Sequence, residues 1–364
     1  MGRTHSWCWS SLPFFYDGLG FKCELAGIAA SRQETAELAR EAFGFARAYP
    51  DASTLIADPQ IDVVDIASPN HLHKEAVIQA HRCGKPVYCD KPLTGGLAPA
   101  LEIERAVPDL DRAGQMVFHN RFFPATLRAR RMAESGDLGD VTTFRAEYLH
   151  SGNVAATKRI AWKDRRDLGA GVIYDLGSHV VDLLTWIAGS DVVDMYARQR
   201  TLHRMRPSAE DASRLAEQTG DDCTFMSVKL ANGAVGSIEA SKIATGKQDE
   251  LRFEIHGTRG AIRFNLMDPN FLEWFDQSDP DQPLGGEAGF KRIQCVQRYE
   301  PPAVFPTPKC TVGWLRAHLQ CLYNFIATVH SGGAFDPSLA RGVAVERMLD
   351  AAQRSADSGS PVQL

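Results

Sequence analysis

Along the first third of the chain, short apolar runs alternate with segments of helical spacing. Residues 24–29 read as a strand, and 33–43 carry alanine and leucine at helical intervals. A second strand at 63–67 is bounded by Asp58-Pro59 and by Ser68-Pro69-Asn70. A helix over 72–82 ends at Gly84, and residues 86–89 form the next strand. A helix at 97–106 and a strand at 115–119 follow. Strands alternating with helices of ~10–15 residues build βαβ units around a parallel sheet. The pattern therefore predicts an α/β, Rossmann-like doubly wound domain of the kind that binds nucleotides.

Near Arg121 the pattern changes. After a helix at 123–135 come strand-like runs at 141–148, 191–199, 223–230, 234–241, 250–256 and 261–265. Asn232-Gly233 and the segment 257–260 are hairpin signals between consecutive runs, so this second sheet is expected to be large and mainly antiparallel. Residues 278–308, rich in Gly and Pro, read as a long loop, and helices at 313–330 and 337–354 close the chain. Two domains follow: residues 1–121, dinucleotide-binding, and residues 122–364, an α+β substrate-binding domain with C-terminal helices.

Composition narrows the partners. The 364 residues, 44% hydrophobic and 23% charged, suit two globular cores. A net charge of −5 with interspersed signs offers no extended basic surface for nucleic acid or an anionic membrane. No apolar run approaches the ~20 residues of a membrane span, and the N-terminus has no signal-peptide core. Eight scattered cysteines, without zinc spacing, read as reduced thiols of a cytoplasmic protein, with no metal required.

Two stretches carry candidate chemistry. In Gly84 to Leu93 an apolar strand stops at Asp90-Lys91-Pro92. Ligands of open parallel sheets bind at such strand ends, so Lys91 projects into a crevice unless it is simply a surface lysine in a turn. In Gly169 to Leu184 a helix beginning near Val172 places Asp175 and His179 at i and i+4, with Asp182 three further on. Gly177 inside that helix implies the close approach of a backbone or ligand. The alternative is an amphipathic helix with a solvated polar face.

Together these stretches resemble the Gfo/Idh/MocA family of nicotinamide-dependent oxidoreductases. Asp90-Lys91-Pro92 is similar to the family's Glu-Lys-Pro motif, with aspartate in place of glutamate, and Gly169 to His179 to its Gly-rich Asp-x-Gly-x-His motif. Ser68-Pro69-Asn70 with His73 resembles its Thr-Pro-Asn-x-x-His loop, and His119-Asn120-Arg121-Phe122 its Asn-x-Arg-Phe junction. The resemblance covers essentially the whole chain. It implies that Lys91 and the Asp175/His179 helix face each other across the nicotinamide, and that the protein assembles as a homo-oligomer through its antiparallel sheet. His179 would be general base toward a substrate hydroxyl, oriented by Asp175, and Lys91 would hydrogen-bond the oxygen that becomes a carbonyl. A lysine with a pKa lowered by burial could itself be the base.

The chain departs from the family pattern twice. The family opens with a strand and Gly-x-Gly-x-x-Gly, whereas Met1-Gly2-Arg3-Thr4-His5 matches only the end of that fingerprint and its helix, placing Gly2 and Arg3 at the cofactor. Loss of that central strand is expected to split the sheet. We expect Met1 to be an internal methionine, with on the order of ten residues encoded upstream. Second, Ala30-Ser31-Arg32 follows the strand where NAD-preferring members carry an acid. Ser31 and Arg32 suit a 2′-phosphate, so NADP is favoured over NAD.

Substrate contacts are expected from Tyr148, His150, Trp162, Lys163 and Arg165, aromatic and hydrogen-bonding groups that fit a sugar, sugar alcohol or cyclitol oxidised at a secondary hydroxyl. Trp162 could equally be core, and residues 163–166 a solvated charge run. Rival readings are a non-catalytic NAD(P)-binding regulator on the same scaffold, and a glycoside-cleaving enzyme with recycled cofactor.

Overall fold

The computed structural model describes all 364 residues. The chain divides into two compact units, residues 1–122 with 297–344, and residues 123–296 with 345–364.

The first unit opens with helix α1 (Gly2–Phe15), followed by β1 (Gly27–Ala29), α2 (Gln33–Phe43), β2 (Arg47–Tyr49), α3 (Ala52–Ala57), β3 (Val64–Ile66), α4 (His73–Arg82), β4 (Val87–Cys89), α5 (Leu97–Ala106), α6 (Leu110–Ala113) and β5 (Gly114–Met116). All its sheet strands are parallel, but they form two separate sheets, β1–β2 and β3–β4–β5. The interruption lies between the strand that leads into Ser31 and the one that leads into Ser68. That is where the doubly wound order has its central strand. Helix α1 is tied to β3 by polar contacts: Trp9 Nε1 donates to Asp65 Oδ2 at 2.8 Å, and His5 Nδ1 lies 2.8 Å from Asp65 Oδ1.

The second unit begins with α7 (Pro124–Glu134), β6 (Val141–Leu149), α8 (Ser178–Ala188) and β7 (Val192–Arg200), then a small hairpin β8 (Met205–Pro207) and β9 (Leu215–Glu217). Next come β10 (Cys223–Leu230), β11 (Val235–Ser241), β12 (Glu250–Gly257), β13 (Gly260–Asn265), β14 (Phe271–Asp276) and β15 (Lys291–Gln294). Helices α9 (Trp314–Ser331) and α10 (Leu339–Ser358) and strand β16 (Val362–Gln363) complete the chain. Nine strands form one sheet in the order β15-β14-β13-β12-β6-β11-β10-β7-β16. Every pairing is antiparallel except β6 with β11. In β10 the buried and exposed positions alternate from Thr224 to Leu230, the period-2 signature of a sheet with one covered face.

Three expectations need correction. The stretch expected as a single long loop contains β15, which extends the sheet through β14, itself absent from the expected strands. The half-polar patterns of both, such as Lys291 to Gln294, hide them from a periodicity reading. Residues 297–344, expected in the second domain, belong to the first unit. The reason is the apolar face of α9: Leu319, Leu322 and Phe325 share one core with Cys8 and Leu12 of α1, Tyr16 just after it, and Tyr88 of β4.

Phe325 is completely buried and stacks on Phe335 at 5.4 Å, with the edge of Trp9 against it at 6.3 Å. Phe325→Ala is expected to lower unfolding stability by about 3–5 kcal/mol, through lost burial and the cavity left behind. Chemical denaturation with circular dichroism checks this; a loss below about 1 kcal/mol would show that the site collapses or was never packed.

Candidate functional site

In the first unit, the loops after β1, β3 and β4 carry the residues expected at a cofactor. Ser31 and Arg32 are exposed, and Arg32 precedes α2 in an extended conformation. Gly2 and Arg3 open α1, the arginine lying over the Phe43 ring at 5.5 Å. His73, fully buried, locks two of these loops together. Its Nε2 lies 2.8 Å from the Ser68 carbonyl, and its Nδ1 lies 3.1 Å from that of Pro92 and 3.3 Å from that of Leu93. Burial holds the His73 pKa below the ordinary value, so the ring is a neutral clamp between Ser68-Pro69-Asn70 and Lys91-Pro92.

Asp90 is buried and turns back on its own loop, its Oδ1 accepting from the Lys91 amide at 3.0 Å, while the Asp90 amide donates to the Ile66 carbonyl at 2.8 Å. This fixes the backbone from which the half-buried Lys91 projects. Arg121, expected at the cofactor, is buried and pairs with Asp336 at 2.9 Å.

The sequence reading missed a cluster of imidazoles in the same unit. The rings of His119 and His318 stack at 3.7 Å, Trp314 lies edge-on to His318 at 4.3 Å, and His5 stands 6.1 Å from His318. Burial, then the charges of His119, His5, the N-terminus and Lys91, drive the His318 pKa well below its ordinary value. The buried nitrogens of His318 and Nε2 of His5 have no hydrogen-bond partner in the protein. Together with the parallel-strand loops and the start of a 14-residue helix, these orphaned donors and acceptors suit the polar groups of a nucleotide.

In the second unit, a π-helical turn (Ile173–Gly177) precedes α8, in place of the regular helix expected from Val172. Such turns widen the helix locally and recur at functional sites. The protein atoms that close in on Gly177 from outside its own helix backbone are side chains. An added Cβ there would lie 3.0 Å from Ile173 Cδ1 and 3.8 Å from the Ala240 methyl, so a larger residue would have to push the Ile173 side chain aside by a few tenths of an ångström. At Gly171 the demand is stricter: φ is +126°, and a Cβ would fall 2.1 Å from Asp221 Oδ1.

Asp175 lies within the π-helical turn with both carboxylate oxygens engaged. Lys163 Nζ is 3.0 Å from Oδ1 and Lys242 Nζ is 3.0 Å from Oδ2. Asp175 is thus gripped between two ammonium groups, and His179 lies four residues on, near the start of α8. Residues 163–166 are not a uniform solvated run either. Asp164 is buried, accepting from the Ala161 amide at 2.9 Å and from Asn153 Nδ2 at 3.2 Å, whereas Arg165 and Arg166 pair with Asp167 and Asp357. Trp162 is partly buried, with Lys163 Nζ 5.7 Å from its ring centre.

His179 and Tyr148 are buried with their rings edge-on at 5.7 Å. The Tyr148 hydroxyl donates to Asp249 Oδ1 at 2.7 Å, and His150 Nε2 lies 2.8 Å from the same oxygen. The structure therefore brings Tyr148 and His150 together on Asp249, His179 against the Tyr148 ring, and Lys163 to Asp175. Lys242 and Asp249 escaped the sequence reading. Both stand next to strand ends, a signal that becomes visible only once β6, β11 and β12 are known to be neighbours.

Fold and site define a nicotinamide-nucleotide-dependent oxidoreductase, and comparison with known proteins agrees. Residues 9–120 match the oxidoreductase family with an NAD-binding Rossmann fold, and residues 126–263 match the GFO/IDH/MocA C-terminal domain. The chain is 30% identical to levoglucosan dehydrogenase of Pseudarthrobacter phenanthrenivorans over 381 aligned positions, covering 100% of this chain and 95% of that protein. A solved structure of levoglucosan dehydrogenase in complex with NADH and levoglucosan superposes with a TM-score of 0.93, covering 100% of this chain and 96% of that one at 30% identity. Inositol 2-dehydrogenase 2 of Saccharopolyspora erythraea is 31% identical over 237 positions, 64% of this chain and 62% of that protein. The chain belongs to the Gfo/Idh/MocA family and is an NAD(P)-dependent oxidoreductase.

The imidazole cluster gives the first unit a pH dependence. A depressed folded-state pKa means that the unfolded chain binds the proton more readily. The stability from neutral His318 and His73 is thus present above about pH 6.5 and falls as the pH drops below it. His5 works in the opposite direction: desolvation is the largest single effect on it and lowers its pKa, but the charge and hydrogen bond of Asp65 with the charge of Asp90 together exceed it and raise the pKa. His318→Phe is expected to flatten the fall in unfolding stability between pH 7 and pH 5; an unchanged slope would show that His318 does not titrate there.

Proposed function

We propose that this enzyme oxidises a secondary hydroxyl of a sugar, anhydrosugar, sugar alcohol or cyclitol. The observation that carries the reading is the pair of built sites: a strand-end lysine held by the His73 clamp in the nucleotide-binding unit, and an acid, imidazole and phenol cluster in the other. Levoglucosan and the inositols, substrates implied by the relatives' names, share secondary hydroxyls on a six-membered ring.

The start of α1 with Gly2 and Arg3, the loops at Ser31-Arg32 and Ser68-Pro69-Asn70, and Asp90-Lys91-Pro92 with Arg121 are assigned to holding the dinucleotide. When bound, the nicotinamide supplies the hydride acceptor. His179 takes the hydroxyl proton, and the adjacent Tyr148 ring restricts the imidazole's orientation. Lys91 donates a hydrogen bond to the same oxygen as negative charge builds on it. Asp175, Lys163, Trp162, Tyr148 and His150 contact the remaining hydroxyls and ring faces. Self-association through the open face of the nine-stranded sheet and a cytoplasmic location, where the eight free thiols stay reduced, complete the proposal.

The absence of a carboxylate at Ala30-Ser31-Arg32, with an exposed guanidinium in its place, supports acceptance of NADP at least as well as NAD. Initial rates on levoglucosan and on inositols with each oxidised cofactor test both points. The expected outcome is substrate-dependent formation of reduced cofactor with a kcat/KM ratio of NADP to NAD of at least about one. A strong NAD preference overturns the cofactor assignment, and no turnover on any polyhydroxylated ring overturns the substrate class.

Lys91→Ala is expected to lower kcat by roughly 10²–10³-fold, as loss of a charge-stabilising donor does, with a much smaller change in cofactor affinity. Equal losses in both would reassign Lys91 to cofactor holding.

A further inference from the structure

Lys242 is absent from every role considered so far. It follows β11 directly, and its side chain is only 9% exposed, against 50% for Lys163, the other ammonium on Asp175. Its backbone is pinned on both sides: its amide donates to the Asp222 carbonyl at 2.8 Å, and its carbonyl accepts from the Asn153 amide at 2.8 Å. Asp222 and Asn153 are themselves buried and joined, Asn153 Nδ2 donating to Asp222 Oδ1 at 2.6 Å. Burial disfavours the charge on Lys242, but Asp175 first, then Asp164 and Asp221, outweigh it and raise the pKa, so the group is a permanent cation.

The two lysines on Asp175 are thus unequal. One is rigid and shielded from solvent, the other half-exposed and screened by water. Resting on the assignment of Asp175 to the substrate site, we infer that Lys242 is a positioning residue that fixes the Asp175 carboxylate, in direction and in ionised form, for hydrogen bonding to substrate. Lys163 is the replaceable partner, able to exchange its contact with Asp175 for one with substrate. Loss of Lys242 takes the shielded cation from Asp175, whose Oδ1 keeps the half-exposed Lys163, while the carboxylates of Asp164 and Asp221, which also act on Lys242, remain. The carboxylate would then be mobile and more easily protonated.

The test compares Lys242→Met, Lys242→Arg, Lys163→Met, Asp175→Asn and the Lys242→Met/Asp175→Asn double variant in the full-length enzyme with saturating cofactor. Lys242→Met is expected to lower kcat/KM by about 10–100-fold, the scale of a misplaced substrate-contacting group. It should also move the acid limb of the kcat/KM profile up by about one pH unit, the effect of losing one nearby cation. Lys242→Arg should keep the limb in place and recover most of the activity. Lys163→Met should leave the limb unmoved. The double variant should be no worse than Asp175→Asn alone, because Lys242 acts only through that carboxylate.

An unmoved acid limb in Lys242→Met, or additive losses in the double variant, overturns the inference. If Lys242→Met gives no folded protein by circular dichroism, Lys242→Gln takes its place in the same series with the same outcomes. Full activity in Asp175→Asn defeats the assignment of Asp175 itself, whereas an inactive Asp175→Asn beside a normal Lys242→Met defeats only the role of Lys242.

Discussion

The register of three neighbouring strands is the constraint on which the second unit's chemistry depends. β6 and β11 run parallel with Leu149 opposite Ser241, and β12 runs antiparallel to β6 with Glu250 opposite the same Leu149. The residues just beyond these positions, His150, Lys242 and Asp249, therefore emerge at one end of the sheet. A one-residue slip in any of the three would invert the faces and scatter the group. Backbone hydrogen bonds hold this end further: the His150 amide donates to the Ser241 carbonyl at 2.7 Å, and the Ala244 amide to the His150 carbonyl at 2.9 Å. The sheet serves as the frame, and the loop from 150 to 171 is drawn onto it by the buried contacts of Asn153, Asp164 and Asp222.

The first unit solves an analogous problem by another route. Its strands are only three residues long, so pairing alone leaves the loops beyond them underdetermined. His73 supplies the missing constraint, crossing between the loops after β3 and β4, while Asp90 closes its own turn. Lys91 thereby gains a fixed origin. The cost of burying a neutral imidazole is small beside that of a charged one, which is why a depressed pKa at His73 and a rigid lysine loop go together.

Much of this architecture was legible in the sequence. Helices α2 and α5 and strand β10 have the bounds that their periodicity indicates, because amphipathic spacing and flanking turn residues act locally. The motifs around Lys91 and His179 were legible through their combined resemblance to those of one family, since spacing alone left a surface turn and a solvated helix face open. Features created by long-range pairing were not. The parallel partnership of β6 and β11 joins residues nearly a hundred positions apart, and so Lys242 and Asp249 gave no local signal. The π turn at Ile173–Gly177 depends on packing against Asp221 and Ala240, which helical spacing cannot reveal. The return of residues 297–344 to the first unit rests on tertiary burial of Leu319, Leu322 and Phe325.

The central claim is hydride transfer from a carbinol carbon of the substrate, and isotope labelling tests it most directly. With levoglucosan or an inositol deuterated at its ring carbons, the account predicts deuterium in the reduced nicotinamide, one per molecule of a ketone product lighter by the two hydrogen isotopes removed, and slower turnover than with the unlabelled compound. Product formed without label in the nicotinamide, or a cleaved product with the cofactor still oxidised, would contradict it.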